Sequence, residues 1–243
     1  MIAIQTLKLG KTYGKTTAVK SLDLAIEQGE LFALLGVNGA GKTTTIRMLS
    51  CLTKPTGGDA LLLGDSILTS PLAVKNKINV SPQETAVAPL LTVRENLELI
   101  ARIYGHNRQA ARQKADEMIK AFSLEDVQKK RAKTLSGGWQ RRLSIAMALI
   151  SDPEILFLDE PTLGLDVLAR RELWTLIESL KGKITMVLTT HYMEEAEALS
   201  DRIGIMAQGE LKAVGPAEEL KTLAKTENFE DAFVKLATQG VSA

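Results

Sequence analysis

A single cysteine, Cys51, leaves this chain unable to form an internal disulfide or a thiolate-rich metal cluster, and compatible with a reducing compartment. Cys51 itself reads as a small core residue. Aromatic residues make up only 4% of the chain, with three tyrosines, so an exposed one in a turn calls for a reason. Charge of either sign is not in excess: 30 Lys and Arg face 29 Asp and Glu, for a net charge of +1. Bulk electrostatics therefore point neither to nucleic acid nor to an acidic substrate. No window approaches the roughly 20 apolar residues of a membrane span. The first residues, Met1 to Lys8, lack a charged region leading into a long apolar stretch. There is no internal repeat and no low-complexity linker. These absences predict a soluble, cytoplasmic chain, long enough at 243 residues for a substantial core. Any membrane function must then come through a partner.

What is present is a phosphate loop. Gly36-Val37-Asn38-Gly39-Ala40-Gly41-Lys42-Thr43 has the pattern of Gly, four residues, Gly-Lys-Thr. Small residues there let backbone N–H groups surround phosphates at a helix N-terminus. The lysine adds a point charge at the β- and γ-phosphates, and the threonine hydroxyl binds magnesium. The context fits. Glu30 to Leu35 is a short apolar run, as expected of a buried parallel strand. Thr44 to Leu52 carries Ile46, Leu49, Cys51 and Leu52 as the apolar face of a helix. Later, the apolar stretch Ile155 to Leu158 delivers Asp159 and Glu160 to the C-terminal edge of a strand, where ligands sit in open α/β sheets.

Residues 1 to about 30 alternate like antiparallel strands, with Gly10, Gly14 and Gly29 as turns. From Thr92 to about Ile150 the period is helical, with Val93, Asn96, Leu97 and Ile100 on one face and Met118, Ile119 and Phe122 on another. Strand signals return at Ile155 to Leu158 and Ile184 to Thr190, around a helix near Ala169 to Leu180. From Pro216 onward Leu220, Leu223, Phe229, Phe233 and Leu236 predict amphipathic helices that pack on the core or on a second copy. The fold class expected is α/β, a P-loop NTPase core with an N-terminal antiparallel β-subdomain and an inserted α-helical subdomain. Residues 1–243 form one unit. Its parts are a core of 1–83 and 153–215, a helical subdomain of 84–152 and a helical tail of 216–243.

Leu135-Ser136-Gly137-Gly138, between the phosphate loop and the Asp159-Glu160 strand, narrows the NTPase classes. With these motifs in this order the chain resembles the ATP-binding cassette (ABC) ATPases over roughly residues 1 to 215. By itself Ser136 reads as an N-cap of a helix through Leu143 to Leu149. The resemblance adds that Ser136, Gly137 and Gly138 close over ATP held by a second subunit in a head-to-tail sandwich. It implies that Asp159 holds magnesium through water, with Thr43 and Gln83 as further ligands, and that Glu160 is the general base. His191, after the strand Ile184 to Thr190, would contact the γ-phosphate and position Glu160 and the water. Nucleotide contacts would run from Gly36, Val37, Asn38, Gly39, Ala40, Gly41, Lys42 and Thr43 to Thr44. Gln83, after Val80-Ser81-Pro82, would sense the membrane partner. Tyr13 occupies the place of the ring stacked on adenine, and Asp166 that of the loop crossing the dimer interface. His106, in a Gly-His-Asn loop, carries no such expectation.

One departure stands out: Trp139 occupies the place of the glutamine that commonly follows Ser-Gly-Gly. Hydrolysis should survive it, since the phosphate contacts come from Ser136 and backbone N–H groups. A large indole instead marks an apolar slot or an interface. Lys129-Lys130-Arg131-Ala132-Lys133 reads as a solvated loop first, with anionic lipid headgroups next and nucleic acid last. The run Thr190 to Glu197 followed by Ser200 to Met206, and the tail Asn228 to Leu236, look like two-component exporters of drugs, lipids or polysaccharides with a separate membrane subunit. Import subunits share the first feature, Thr190 to Met206, in part. ATP and magnesium are thus the expected cofactors. A transmembrane permease subunit is the expected partner, together with a second copy of the chain or a related cassette, and no nucleic acid. The location implied is cytoplasmic, peripheral on the inner face of the membrane. The permease would dock near Thr85 to Asn96, where Val87 to Leu91 reads equally as docking surface or local core. The competing class is a non-transport cassette acting on DNA or ribosomes. Only about fifty residues lie between Gln83 and Ser136, with no sustained heptads, and there is a single cassette.

Overall fold

The computed structural model describes residues 1–239; the last four residues of the expected tail lie outside them. Strand β1 (Ile2–Tyr13) and β2 (Thr16–Glu27) form a long antiparallel hairpin turning at Gly14. Gly29 sits in the turn after it, but Gly10 does not turn the chain. It lies within β1 at an irregularity in the register, where a Cβ would stand 2.7 Å from the carbonyl oxygen of Lys20. Its smallness serves a close approach of two strands.

Next come β3 (Leu31–Leu35), α1 (Lys42–Leu49), β4 (Gly57–Leu62), β5 (Asp65–Ser66), α2 (Pro71–Lys77) and β6 (Ile78–Ser81). Helix α1 stops before Cys51, whose φ is +56°; Cys51 still packs, partly buried, on the same core as Ile46 and Leu49, while Leu52 is 63% exposed and does not extend the expected apolar face. A helical stretch follows: α3 (Val93–Ile103), α4 (Arg108–Ala121), two 3-10 turns and α5 (Gly137–Leu149). The chain continues through β7 (Ile155–Asp159), α6 (Val167–Glu178), β8 (Thr185–Thr190), α7 (Met193–Leu199), β9 (Arg202–Ala207) and β10 (Glu210–Gly215). It ends in α8 (Ala217–Ala224) and α9 (Phe229–Gln239).

Strands β4, β5, β6, β9 and β10 and helix α2 were not anticipated. They are short, and several carry Gly, Asp or Lys where an alternating pattern would be sought.

Two sheets result. One is antiparallel, ordered β2-β1-β4-β5; the other runs β10-β9-β3-β8-β7-β6, parallel except for β10. Strand β7 explains how they share a core. All five of its residues are buried. Ile155 and Phe157 join the cluster under the antiparallel sheet and α1, while Leu156 and Leu158 join the cluster with α3, α4 and α5. Period-two alternation in an all-apolar strand thus gives each face a separate apolar layer. A third cluster packs Phe229, Phe233 and Leu236 of α9 on Ile203 and Ile205 of β9. The tail returns to its own core, with Leu223 left 49% exposed.

The segment before α3 is held by one buried polar side chain. Asn96, fully buried, accepts from the Ala88 N–H at 2.7 Å and donates to the Ala88 and Thr92 carbonyls at 3.1 and 2.9 Å. Thr92 and Glu95 complete a capping box at the start of α3. Val87 is partly packed on the core, while Leu90 is 66% exposed. Replacing Asn96 with Ala leaves the Ala88 amide without its partner. Urea unfolding of Asn96→Ala should show a loss of about 1–3 kcal/mol.

Candidate active site

Three parallel strands, β3, β7 and β8, deliver their following loops to the same edge of the six-stranded sheet, in register. The loop after β3 is the phosphate loop. Gly41 has φ of +108°, and a Cβ there would lie 2.5 Å from the Ala18 carbonyl oxygen. At Gly36 a Cβ would stand 2.3 Å from the carbonyl oxygen of Met206. The loop can take this shape only with glycine at both positions. It opens α1 at Lys42, so the unpaired N–H groups of the first turn face an anion site.

Around this loop lies a cavity of about 480 Å³ lined by Asn38, Gly39, Gly41, Lys42, Thr43, Thr44, Gln83, Glu160 and His191. Lys42, only 4% exposed, donates from Nζ to the Gly36 carbonyl at 2.7 Å and stands 3.5 Å from Glu160 Oε1. Burial pulls its ammonium below the usual lysine range, while Glu160 and Asp159 act the other way.

Asp159 ends β7 opposite Thr189 of β8. Its Oδ1 accepts from Thr43 Oγ1 at 3.2 Å and from the Thr189 hydroxyl. Hydroxyl, carboxylate and, from Gln83, amide oxygen are hard donors suited to magnesium, and the residues present fit that ion. Glu160 takes the left-handed region with φ of +46°, a conformation that costs roughly 1–2 kcal/mol outside glycine. Its backbone N–H is held by the carbonyl and hydroxyl of Thr189, both at 3.1 Å. The turn aims the carboxylate between Lys42 and His191. His191 Nδ1 is 3.2 Å from Glu160 Oε2, in contact but without hydrogen-bond alignment.

Other expected residues lie elsewhere. Tyr13 is 46% exposed beneath Lys11, whose Nζ is 4.9 Å from the ring centroid, and does not line the cavity. Ser136 and Gly137 are exposed at the start of α5 and also stand outside it. Ser136 is the N-cap by position, yet its side chain makes no capping bond, contrary to the contribution expected of it. Gly138 is needed for packing: a Cβ there would meet the Ala169 Cβ at 3.1 Å. Asp166 is exposed and caps α6, accepting from the Ala169 N–H at 2.9 Å. Trp139 is half-buried on the helical cluster, with the Arg142 guanidinium 4.7 Å from its ring centroid. The basic run from Lys129 to Lys133 is exposed apart from Ala132.

Two charged residues behind the site escaped the sequence reading. Arg141, on α5, is 4% exposed and reaches the backbone beside Gln83. Glu195, on α7, is fully buried; it accepts from Trp174 Nε1 at 3.1 Å and faces Thr162, Thr190 and Arg170. The available signal was a charge on the apolar face of a helix. Glu195 shares its side with Leu199, and Arg141 lies in the second turn of α5, just before its buried run from Leu143 to Leu149. Burial pushes the Glu195 carboxyl above the usual range, against the opposing effects of the neighbouring Thr190 and Thr162 hydroxyls, the Trp174 N–H bond and the charge of Arg170. A raised native pKa means the folded state binds more protons, so this group erodes stability as pH rises from the unfolded carboxylate pKa through the folded value. Glu195→Gln should therefore lose less stability than the parent chain between pH 5 and pH 8, compared by urea unfolding.

Known proteins show the same arrangement of sequence and fold. The chain is 42% identical over 221 residues to the daunorubicin/doxorubicin resistance ATP-binding protein DrrA of Streptomyces peucetius, covering 90% of this chain and 67% of that protein. The doxorubicin resistance ATP-binding protein DrrA of Mycobacterium tuberculosis (strain CDC 1551 / Oshkosh) is 44% identical over 214 residues. That match spans 87% of this chain and 65% of the relative, so about a third of each relative has no counterpart here. Among solved structures, a dimeric ATP-binding cassette, MJ0796, in a post-hydrolysis state bound to ADP and Pi superimposes with a TM-score of 0.79. It is 29% identical and covers 88% of this chain and 98% of its own. The profile of the ABC transporter family matches residues 19–163, from β2 through the phosphate loop to the turn after Glu160. With more than half of its length so matched and its loops converging on one cavity at the phosphate loop, the chain belongs to the ABC transporter family.

Proposed function

We propose that the chain is the ATP-binding and ATP-hydrolysing subunit of an exporter, closing as a dimer on ATP and driving a separate membrane permease. The observation that carries this is the convergence of Lys42, Thr43, Gln83, Glu160 and His191 on one cavity. Asp159 lies beside it, joined to Thr43.

Backbone N–H groups of the phosphate loop and Lys42 bind the β- and γ-phosphates, Lys42 exchanging its loop carbonyls for phosphate oxygens. Thr43 and Asp159, with Gln83, would hold magnesium, which would neutralise charge developing on the phosphates. Glu160 takes a proton from the attacking water, and His191 keeps the carboxylate and the water aligned. Burial favours these roles, since electrostatic effects are stronger where water is thin.

Ser136, Gly137 and Gly138 stand at the exposed start of α5, outside their own chain's cavity, as suits a turn that completes a second copy's site. Val167 and Leu168, beside Asp166, are 57% and 75% exposed and supply an apolar edge to that contact. The permease docks on a groove of about 170 Å³ where β6, the Gln83 loop, α3 and α5 meet, lined by Val80, Pro82, Ala86, Ile100, Tyr104 and Met147. Among the described residues no helix is long and apolar enough to cross a membrane; on this reading the translocation path is assigned to the partner. The drug-resistance names of the relatives favour export.

Glu160→Gln should bind ATP as tightly as the parent chain while phosphate release falls by about 10²- to 10⁴-fold, the usual worth of a general base. Residual turnover within a few-fold of the parent would move the base elsewhere. The same variant, recovered with ATP and magnesium from detergent-solubilised native membranes, should bring a polytopic membrane protein identifiable by mass spectrometry. Recovery with ribosomes or DNA instead would overturn transport. Ala86→Arg, which fills the groove with a charge, should abolish that recovery while nucleotide binding persists.

A further inference from the structure

The loop that carries Gln83 is bonded along its length to one side of α5. Ser81 Oγ lies 3.2 Å from Ser144 Oγ, and Thr85 Oγ1 donates to Gln140 Oε1 at 3.4 Å. Between them the Arg141 guanidinium donates from Nη1 to the Pro82 carbonyl at 2.6 Å and from Nη2 to the Gln83 carbonyl. The two consecutive carbonyls therefore point the same way, into α5, while the Gln83 side chain is exposed and lines the ATP cavity. A planar fork with fixed donor directions imposes that geometry, where a lysine would offer a single point charge.

The bonding is costly enough to need a reason. Arg141 is 4% exposed and has no carboxylate ion-pair partner among the described residues; only backbone oxygens meet it directly. Desolvating a guanidinium for two carbonyls adds little net stability over an apolar side chain of the same volume. It does fix one conformation of the loop.

We infer that Arg141 is the positioning residue for Gln83. It joins the Gln83 loop to the helix that begins at Ser136, so that Gln83 in one site and the Ser-Gly-Gly turn offered to the other change position as one body. The groove assigned to the permease is walled by both parts, Pro82 and Ala86 on the loop and Ser144 and Met147 on α5. A ligand seated there moves both through the same joint. This inference rests on the ATPase reading above.

The test is a double-mutant cycle on the purified full chain. Arg141→Lys should lower kcat about tenfold, the usual scale for loss of a supporting contact, with KM for ATP little changed because the phosphate loop is untouched. Gln83→Ala should lower kcat comparably. In the Gln83→Ala background, Arg141→Lys should then cause no further fall, since a residue that acts through Gln83 has nothing left to position. Multiplication of the two losses would overturn the inference while leaving the ATPase assignment intact. Equal turnover by the parent and Gln83→Ala would remove Gln83 from the reaction and the inference with it, and Glu160→Gln would still decide hydrolysis separately. If Arg141→Lys does not yield folded protein, Ser144→Ala loosens the same loop by one bond. A smaller fall in kcat that vanishes in the Gln83→Ala background supports the joint, and an equal fall in both backgrounds overturns it.

Discussion

The Thr189 hydroxyl is the contact on which the site depends. It donates to Asp159 Oδ1 and accepts the Glu160 backbone N–H, while the Thr189 carbonyl accepts that same N–H. Two carboxylates that follow one another in the chain are thereby sent in different directions, one toward Thr43 and the other toward Lys42 and His191. The left-handed backbone at Glu160 is what allows the divergence, and the paired Thr189 groups offset its strain. All of this requires Asp159 to face Thr189 in the ladder. That register is set by β7 and β8 being buried on both faces, where a slip of one residue would exchange the two apolar layers.

Beyond the sheet edge, the site is surrounded by ionisable groups kept from water. Lys42 is drawn down and Glu195 pushed up by burial, and Arg141 too is lowered by it. Each meets a specific set of oxygens or donors in place of bulk water, which is the condition under which a buried charge is tolerated. Their neighbours are the loops that follow β3, β6, β7 and β8. The arrangement limits those loops to few conformations, at some expense in stability, and pre-orients the groups that meet phosphate.

The helical stretch serves the same edge from the other side. Helix α5 is buried nearly throughout and packs on β6 and β7, so its exposed N-terminal turn is held at a definite place relative to the phosphate loop. Gly138 lets it approach the start of α6, and Asp166 caps that helix. Turn, cap and Gln83 loop therefore share supports.

Much of this was legible in the chain. The phosphate loop, the apolar strand into Asp159-Glu160 and the strand before His191 announce themselves because each is local: glycine geometry, apolar runs and their flanking residues suffice. The short strands β4, β5, β9 and β10 were not, since their pairing is set by partners far along the chain. Gly10 looked like a turn because a glycine's need for a close neighbour is invisible without the neighbour. Ser136 looked like a capping side chain because its position is right, and only geometry shows the bond unmade. Sequence alone determined which loop has the glycine geometry suited to phosphate and where strands must be buried, because these follow from backbone stereochemistry and apolar pattern. Tertiary structure decided which distant groups meet: Thr189 on Asp159, Glu195 on Trp174, and Arg141 on the Gln83 loop. Those contacts are hydrogen bonds of single side chains across 21 to 59 residues of sequence, and a linear pattern holds no period or spacing from which to read them.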